Sequence, residues 1–276
     1  MTPEHAQQAE RAIKGILDMT PDGPDKRILE SLVGTLAVYN EVTATQEETP
    51  SLQREPAIQT AEELIAPYLS EYRRYQYSPE VLTRFNRTFY EVYGKKIGLE
   101  ISVPDLDATE KEVKKPMPTV EGKRVKPLAL YYPRELQGKE GLIRLGRMFN
   151  LGNWSVKKDT PILSTEIPAA WMGIEGTVDA PNRNTREDDF AKHAQKHNLL
   201  GQDLNLYILG SRFIKFLEDR HFDQGATWSR LPASRDGDRM VDAHCHSDGR
   251  VDVDSILLPD DRDPCLGARF ARVLSS

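Results

Sequence analysis

The segment Val241-Asp242-Ala243-His244-Cys245-His246-Ser247-Asp248-Gly249-Arg250-Val251-Asp252-Val253-Asp254 decides how the C-terminal part of the chain folds. Apolar and polar residues alternate on either side of Ser247-Asp248-Gly249, as they do in two β-strands joined by a tight turn. A three-residue turn with Gly249 in the left-handed conformation separates the apolar side chains from the charged and imidazole side chains. A two-residue turn would mix the two sets, so the pattern predicts the three-residue turn. The apolar face then consists of Val241, Ala243, Cys245, Val251 and Val253.

The opposite, polar face of this hairpin contains the residues for which the sequence suggests chemistry. Three cross-strand pairs lie on it in the predicted register: His246 with Arg250, His244 with Asp252, and Asp242 with Asp254. Two histidines and one carboxylate, here His244, His246 and Asp252, are the ligand set of many zinc and non-haem iron sites. Alternate residues of a strand are ~7 Å apart, close enough for their side chains to converge on one ion.

Two interpretations of the polar face follow. In the first, His244, His246 and Asp252 hold a divalent metal, and Asp242 or Asp254 acts as the general base towards a metal-bound water. Like charges that face each other across strands are unfavourable, and a cation or a basic partner would relieve the pair Asp242 and Asp254. In the second, which is the default, the face is the solvated side of an edge hairpin. No cofactor other than such a metal is suggested.

The same segment resembles the opening motif of the amidohydrolase and PHP phosphoesterase families. Their Asp-x-His-x-His-Ser sequence is matched by Asp242, His244, His246 and Ser247. In those families the motif closes the first strand of a large barrel, and later strands supply further histidines and an aspartate. No histidine follows His246 in this chain. The resemblance is therefore confined to this segment, and we assign the chain to neither family.

The composition bounds the class of protein. The 276 residues suit one large or two modest domains, with 38% hydrophobic and 29% charged residues. A mean hydropathy of -0.57 and the lack of a long apolar run predict no membrane-spanning helix. The N-terminus lacks the features of a signal peptide, and two cysteines are too few for a disulfide scaffold. We therefore expect a cytoplasmic protein with no membrane partner.

The sequence predicts an α+β fold with a helical bundle at the N-terminus. Four amphipathic segments predict helices: 3–17, 25–39, 58–72, and one that starts at Ser78-Pro79 and ends at Gly94. Alternation over 97–103 predicts a strand. The Lys- and Pro-rich segment 105–127 reads as an exposed linker or a long mobile loop, which divides the chain into a mainly helical domain, 1–104, and an α+β domain, 128–276.

The second domain is predicted to contain a helix pair and a C-terminal antiparallel meander. Strands are expected at 128–132 and 170–178, helices at 141–149, from Thr185 to about Leu200, and from Asp203 to Leu217, and meander strands at 226–231, 239–246 and 250–257. Thr185 and Asp188 resemble a capping box at the start of the second helix. Strand, helix pair and meander together indicate an α+β domain.

Three further patterns are considered. The histidines His193 and His197, spaced four apart, lack the glutamate of the His-Glu-x-x-His motif and are expected on a solvated helix face. Cys245 is expected to be a buried structural cysteine, because its thiol points to the apolar face. Arginines and tyrosines alternate in 71–77, with more arginines on the next helix and a basic segment at 111–126, which would suit nucleic acid. The net charge of -6 argues against that function.

Taken together, these patterns predict a non-catalytic binding or interaction module for an unknown protein or small-molecule partner. The prediction depends mainly on the lack of a complete catalytic motif in the sequence. A metal-dependent hydrolase that uses the polar face of the hairpin 239–257 is the first alternative. A nucleic-acid-binding protein is the second.

Overall fold

A computed structural model describes residues 60–151, 162–255 and 258–275. These residues belong to one compact unit. Its helices are α1 (Ala61–Arg74), α2 (Pro79–Lys95), α3 (Glu110–Lys114), α4 (Gly138–Met148), α5 (Glu187–His197) and α6 (Leu204–Glu218). Its strands are β1 (Met117–Pro118), β2 (Arg124–Val125), β3 (Pro127–Tyr132), β4 (Ile162–Ser164), β5 (Ala170–Glu175), β6 (Leu200–Gly201), β7 (Trp228–Asp236), β8 (Arg239–Cys245), β9 (Val251–Asp254), β10 (Leu266–Ala268) and β11 (Phe270–Ser275). Helices and sheets confirm the α+β class, while the helices predicted at 3–17 and 25–39 lie outside the described residues.

Helices α1 and α2 begin where the sequence places cap residues. Thr60 forms a capping box with Glu63, and their reciprocal hydrogen bonds satisfy two amide groups at the start of α1. Ser78 caps α2 and Pro79 occupies its first turn, as predicted. α1 includes Pro67 without a break in the helix.

The strand predicted at 97–103 is wrong, since the chain is irregular there. The carbonyl of Gly94 accepts hydrogen bonds from the amides of both Ile97 and Leu99, which folds the chain back at the end of α2. Gly98 has a φ of +67°, in the left-handed region and far from the extended conformation of a regular strand. The apolar side chains that suggested a strand pack on the core without strand pairing.

Residues 105–127, for which the sequence predicts an exposed linker or a long mobile loop, contain the short helix α3 and the hairpin of β1 and β2. The Val113 and Met117 side chains are fully buried, so this segment contributes to the cores. The Arg272 guanidinium donates to three carbonyls at the end of α3, which fixes the helix against β11.

Two antiparallel sheet layers pack on helix α6. One has the order β3-β5-β11-β6. The other has the order β10-β7-β8-β9, in which only β10 runs parallel to its neighbour and β4 pairs with the far end of β7. Residues from Leu204 to Ile214 in α6 are nearly all buried, as expected of a helix that is covered on most sides. Asp203, the predicted first residue of this helix, is its N-cap.

The outer edge of β3 is closed by side chains of α2. The amide of Tyr131 donates to Asn86 Oδ1 at 3.0 Å, and the Tyr90 hydroxyl donates to the Tyr131 carbonyl. Because backbone groups at a free sheet edge otherwise pair with water or with another chain, these two contacts protect the edge.

The ends of α5 differ from the prediction by one to three residues. Arg186, not Thr185, is the N-cap, and its amide donates to Asp189 at 3.2 Å. The helix ends at His197 because Asn198 adopts a left-handed conformation with a φ of +52°. Gly201, the predicted end, lies in β6 instead.

No helix within the described ranges is long and apolar enough to cross a membrane.

Candidate functional site

The hairpin of β8 and β9 has the predicted register. Asp242 pairs with Asp254, Ala243 with Val253, His244 with Asp252, and Cys245 with Val251. The His246 amide donates to the Arg250 carbonyl at 2.8 Å, and the Gly249 amide donates to the His246 carbonyl at 3.0 Å. Gly249 has a φ of +83°. The three-residue turn is therefore confirmed.

The apolar face of the hairpin lies on helix α6. Val241, Ala243, Cys245 and Val251 are buried, and Val253 is partly buried. The Ser211 hydroxyl of α6 donates to Cys245 Sγ at 3.2 Å. Burial raises the pKa of the Cys245 thiol to about 11, so the thiolate that acts as a nucleophile is not formed near neutral pH. Cys245 is a buried structural cysteine, as expected.

His244 is fixed on the polar face by two contacts. Its Nδ1 lies 2.9 Å from the Thr227 carbonyl oxygen. Since a carbonyl only accepts hydrogen bonds, Nδ1 carries a proton, and in the neutral ring Nε2 is an acceptor. The ring stacks on Trp228 of β7 with centroids 5.2 Å apart and planes 23° apart. The imidazole is thus held in one orientation by Thr227 and Trp228, at the start of β7.

His246 is held between an acidic and a basic side chain. Its Nε2 lies 2.6 Å from Asp252 Oδ2, and its Nδ1 lies 3.3 Å from Arg250 Nη2. Arginine only donates, so Nδ1 accepts and the ring proton lies on Nε2, from where it is donated to the carboxylate. Arg250 also contacts Asp252 Oδ1 at 3.3 Å. Both ring nitrogens of His246 are therefore engaged by protein groups.

We call this set of side chains the imidazole surface: Trp228, His244, His246, Arg250 and Asp252. The two imidazole rings stand edge to face with centroids 4.8 Å apart. The His246, Arg250 and Asp252 side chains are partly exposed, at 31%, 45% and 24%. The surface is open to solvent, yet each member is oriented by its neighbours.

The structure brings the three predicted metal ligands to one face, where His246 bonds to Asp252 and His244 bonds to the Thr227 carbonyl. Among the residues that the structure describes, no set of three or more His, Cys, Asp or Glu side chains is arranged to hold a metal ion. His246 Nε2 is directed at Asp252, and the Arg250 guanidinium lies beside both. A metal shared by His246 and Asp252 would need their ligand atoms to move apart to about 3.3 Å, the spacing of tetrahedral ligands ~2.0 Å from zinc.

The two predicted general bases lie in different environments. Asp242 is 2% exposed, whereas Asp254 is exposed and accepts from the Ser255 amide. Burial is the largest cause that raises the pKa of Asp242, to about 7, while Arg230 lowers it. Arg230 Nε lies 3.8 Å from Asp242 Oδ1, so it is the basic partner that the facing carboxylates need.

Arg230 also connects this part of the sheet to a neighbouring segment of the chain. Its remaining N–H groups donate to the carbonyls of Leu258 at 3.3 Å and Asp261 at 3.1 Å. These bonds join Arg230, which is 3% exposed, to the segment that contains the two carbonyls. Buried Asp242 Oδ1 has no hydrogen-bond partner within the described part of the chain.

His193 corrects one prediction. It is 6% exposed and does not lie on a solvated helix face. Its Nε2 lies 3.0 Å from the Pro118 carbonyl oxygen, and the centroid of its ring lies 5.3 Å from that of the Phe270 ring. Burial lowers the pKa of His193, which favours the neutral ring. His193 therefore connects α5 to β1 as a core residue.

The arginine- and tyrosine-rich segment 71–77 has one residue in the core, Tyr72, while Arg73, Arg74 and Tyr75 are exposed. Tyr72 is fully buried and stacks on Phe85 with centroids 3.8 Å apart. Arg84 pairs with Glu71, and Arg87 contacts Asp105 at 3.1 Å. Tyr72, one of the tyrosines considered for base stacking, is therefore a core residue.

Sequence reasoning missed Trp228 and Arg230 as parts of the polar face. Both lie on β7, whose pairing with β8 is interrupted by a register shift between Leu231 and Arg235. The prediction ended the strand at Leu231 and assigned no partners to it. The sequence did contain one signal. Trp228 and Arg230 are two residues apart, and this spacing places both side chains on the same face of a strand.

Comparison of the chain with protein-family models, with curated proteins and with solved structures found no match.

Proposed function

We propose that the protein is a non-catalytic binding module and that the imidazole surface binds a polypeptide segment of a partner protein. The observation that carries the proposal is the state of His246. Because Asp252 and Arg250 engage its two ring nitrogens, the ring is oriented for contact but is not a free base.

The residue types of the imidazole surface support binding. Tryptophan and arginine are enriched among the residues that dominate the energy of protein interfaces. Trp228 is stacked against His244, and Arg250 is held by Asp252, so little side-chain freedom remains to be lost on binding. Such preorganisation reduces the entropic cost of association.

The open hydrogen-bonding groups suit a polypeptide. In the neutral tautomer, His244 Nε2 is an acceptor without a hydrogen bond to the described residues, and Arg250 keeps donors beyond those that contact His246 and Asp252. A polypeptide backbone offers both an N–H donor and a carbonyl acceptor within one residue. Indole and imidazole rings supply the apolar contact area beside these groups.

Selection from a displayed random peptide library against the immobilised protein tests the proposal. The dissociation constants of enriched peptides are then measured by fluorescence anisotropy for the wild type, His246→Ala, Arg250→Ala and the control Lys139→Ala. Lys139 is an exposed residue of α4. We expect losses of about tenfold or more for the first two variants, as for central interface residues, and none for the control. Failure to enrich any peptide, or equal affinities in all four proteins, would overturn the proposal.

A metal-dependent hydrolase is the competing function, and one observation favours it. Ligating histidines commonly donate their second ring N–H to a backbone carbonyl, as His244 does to Thr227. His244 Nε2, His246 and Asp252 would then hold the ion. Metal analysis of the purified protein beside a His244→Ala/His246→Ala variant separates the two functions. Stoichiometric zinc, iron or manganese that is lost in the variant would favour the hydrolase.

A further inference from the structure

Arg212 of α6 differs from the other arginines in the interior of the described structure. Arg269 makes hydrogen bonds to several carbonyls and an ion pair with Asp223 at 3.2 Å. Arg230 contacts Asp242 and the carbonyls described above, and Arg272 bonds to three carbonyls. Among the residues that the structure describes, Arg212 makes one hydrogen bond, from Nη2 to the Gly249 carbonyl at 3.4 Å. Most of its N–H donors therefore have no hydrogen-bond acceptor in the described part of the chain.

The Arg212 guanidinium lies beneath the tip of the hairpin. Its Cζ lies 5.0 Å from the ring centroid of Phe149, a cation–π contact on one side. On another side the backbone of Gly249 approaches so closely that a Cβ at that position would lie 2.8 Å from Arg212 Nη1. Both contacts are made without a carboxylate, and together they fix the plane of the guanidinium.

The charge of Arg212 is not neutralised by contact. Within the ranges that the structure describes, no carboxylate oxygen lies within ion-pair distance of this guanidinium. Glu62 and Asp248 act on it only at longer range, and Glu62 is hydrogen-bonded to the Tyr93 hydroxyl at 2.9 Å. Burial lowers the pKa of Arg212, because a partly buried charge without a counter-ion is unfavourable. A bound anion would remove that cost.

We propose that Arg212 is the anion-binding residue of a ligand site between α6, Phe149 and the hairpin tip, and that it takes the oxyanion of a carboxylate or a phosphate. A guanidinium offers five N–H donors in a planar fork that matches two oxygens of either group. The fixed plane of Arg212 presents this fork in one orientation. The site does not depend on the imidazole surface, which lies on the opposite face of the hairpin.

Thermal unfolding of the full chain in different anions tests the site. The probes are inorganic phosphate and acetate, each titrated at constant ionic strength against chloride. The site predicts that at least one of them raises Tm in a saturable way, by roughly 3 °C for each tenfold excess over the dissociation constant. A response to phosphate alone, or to acetate alone, identifies the class of oxyanion.

Three variants assign the effect. Arg212→Gln is expected to abolish the anion-dependent rise in Tm, and Arg212→Lys to weaken it, because lysine lacks the planar fork. The control Arg147→Gln removes the same charge from an exposed position of α4 and is expected to respond like the wild type. If Arg212→Gln does not fold, comparison of Arg212→Lys with the wild type still shows whether the rise in Tm depends on Arg212. An undiminished rise in the Arg212 variants, or no saturable rise in the wild type, would overturn the site.

Discussion

Replacement of Asp242 by asparagine tests whether this buried carboxyl makes the fold sensitive to pH. Asp242 has a pKa of about 7 in the folded protein against an ordinary value of 3.8. A carboxyl whose pKa is raised on folding stabilises the folded state while it is protonated. That stabilisation is complete below the unfolded pKa and is lost as the pH rises through the folded pKa.

The magnitude follows from proton linkage. One pKa unit corresponds to about 1.36 kcal/mol. Integration over the pKa shift of Asp242 predicts that the free energy of unfolding falls by about 2.5 kcal/mol between about pH 5 and about pH 8. Buried Glu175, with a pKa of about 8, and Asp203, with a pKa of about 6, act in the same direction. Only the Asp242 contribution disappears in Asp242→Asn, so the difference between the variant and the wild type isolates it.

Urea unfolding at a series of pH values provides the measurement. Between about pH 5 and about pH 8, the decrease in the free energy of unfolding is expected to be about 2.5 kcal/mol smaller in Asp242→Asn than in the wild type. Asp260→Asn removes a carboxylate from an exposed position and serves as the control, with an expected pH dependence equal to that of the wild type. Equal pH dependence in Asp242→Asn and the wild type would refute the argument, because Asp242 would then titrate alike in the folded and unfolded chains.

Three further predictions concern stability and reactivity. A thiol reagent such as DTNB should modify exposed Cys265 in the native protein and buried Cys245 only after unfolding; two fast equivalents would contradict the burial of Cys245. Gly249→Ala should lower the free energy of unfolding in urea by about 1–2 kcal/mol because of its positive φ. This loss should exceed that of Gly237→Ala, where φ is also positive but the space is open, and equal losses would count against contact with the guanidinium. Asn86→Ala should cost about 1–3 kcal/mol in the same assay because it leaves an amide of β3 unpaired, and a neutral result would show that water replaces the side chain.

The hairpin was predictable because its information is local. Alternation and Gly249 determine the register, and an error of one residue would have placed the histidines among the apolar side chains. The caps at Ser78 and Asp203 were predictable for the same reason, since a cap residue interacts with the next few amides. Such features need no knowledge of the rest of the chain.

The environment of the hairpin was not predictable, because distant segments create it. Alternation places Asp242 on the same face as His244, but it does not show that Asp242 is buried beside Arg230, or that Arg230 in turn donates to the carbonyls of Leu258 and Asp261. The environment of Arg212 was not predictable for the same reason. Its surroundings are set by Phe149 and by the hairpin tip, which are far from it in sequence. Residue spacing along one element cannot show which other element covers it.

Local alternation was also misleading at 97–103, where the apolar residues serve packing rather than strand pairing. A strand needs a neighbouring strand for its backbone groups, and here the Val103 carbonyl accepts from Arg87 Nε at 3.0 Å. The spacing of His193 and His197 was similarly ambiguous. Only the contact of His193 with the Pro118 carbonyl shows that this face of α5 is covered.

The most direct test of the imidazole surface is NMR of the histidine side chains during titration with an enriched peptide. In the free protein, His246 should carry its proton on Nε2 and His244 on Nδ1, as their hydrogen bonds require. On binding, the resonances of both rings should change in a saturable way, while those of His193, which is buried between α5 and β1, should not. Unchanged His244 and His246 resonances at saturation would contradict the account, because the peptide would then bind elsewhere on the protein.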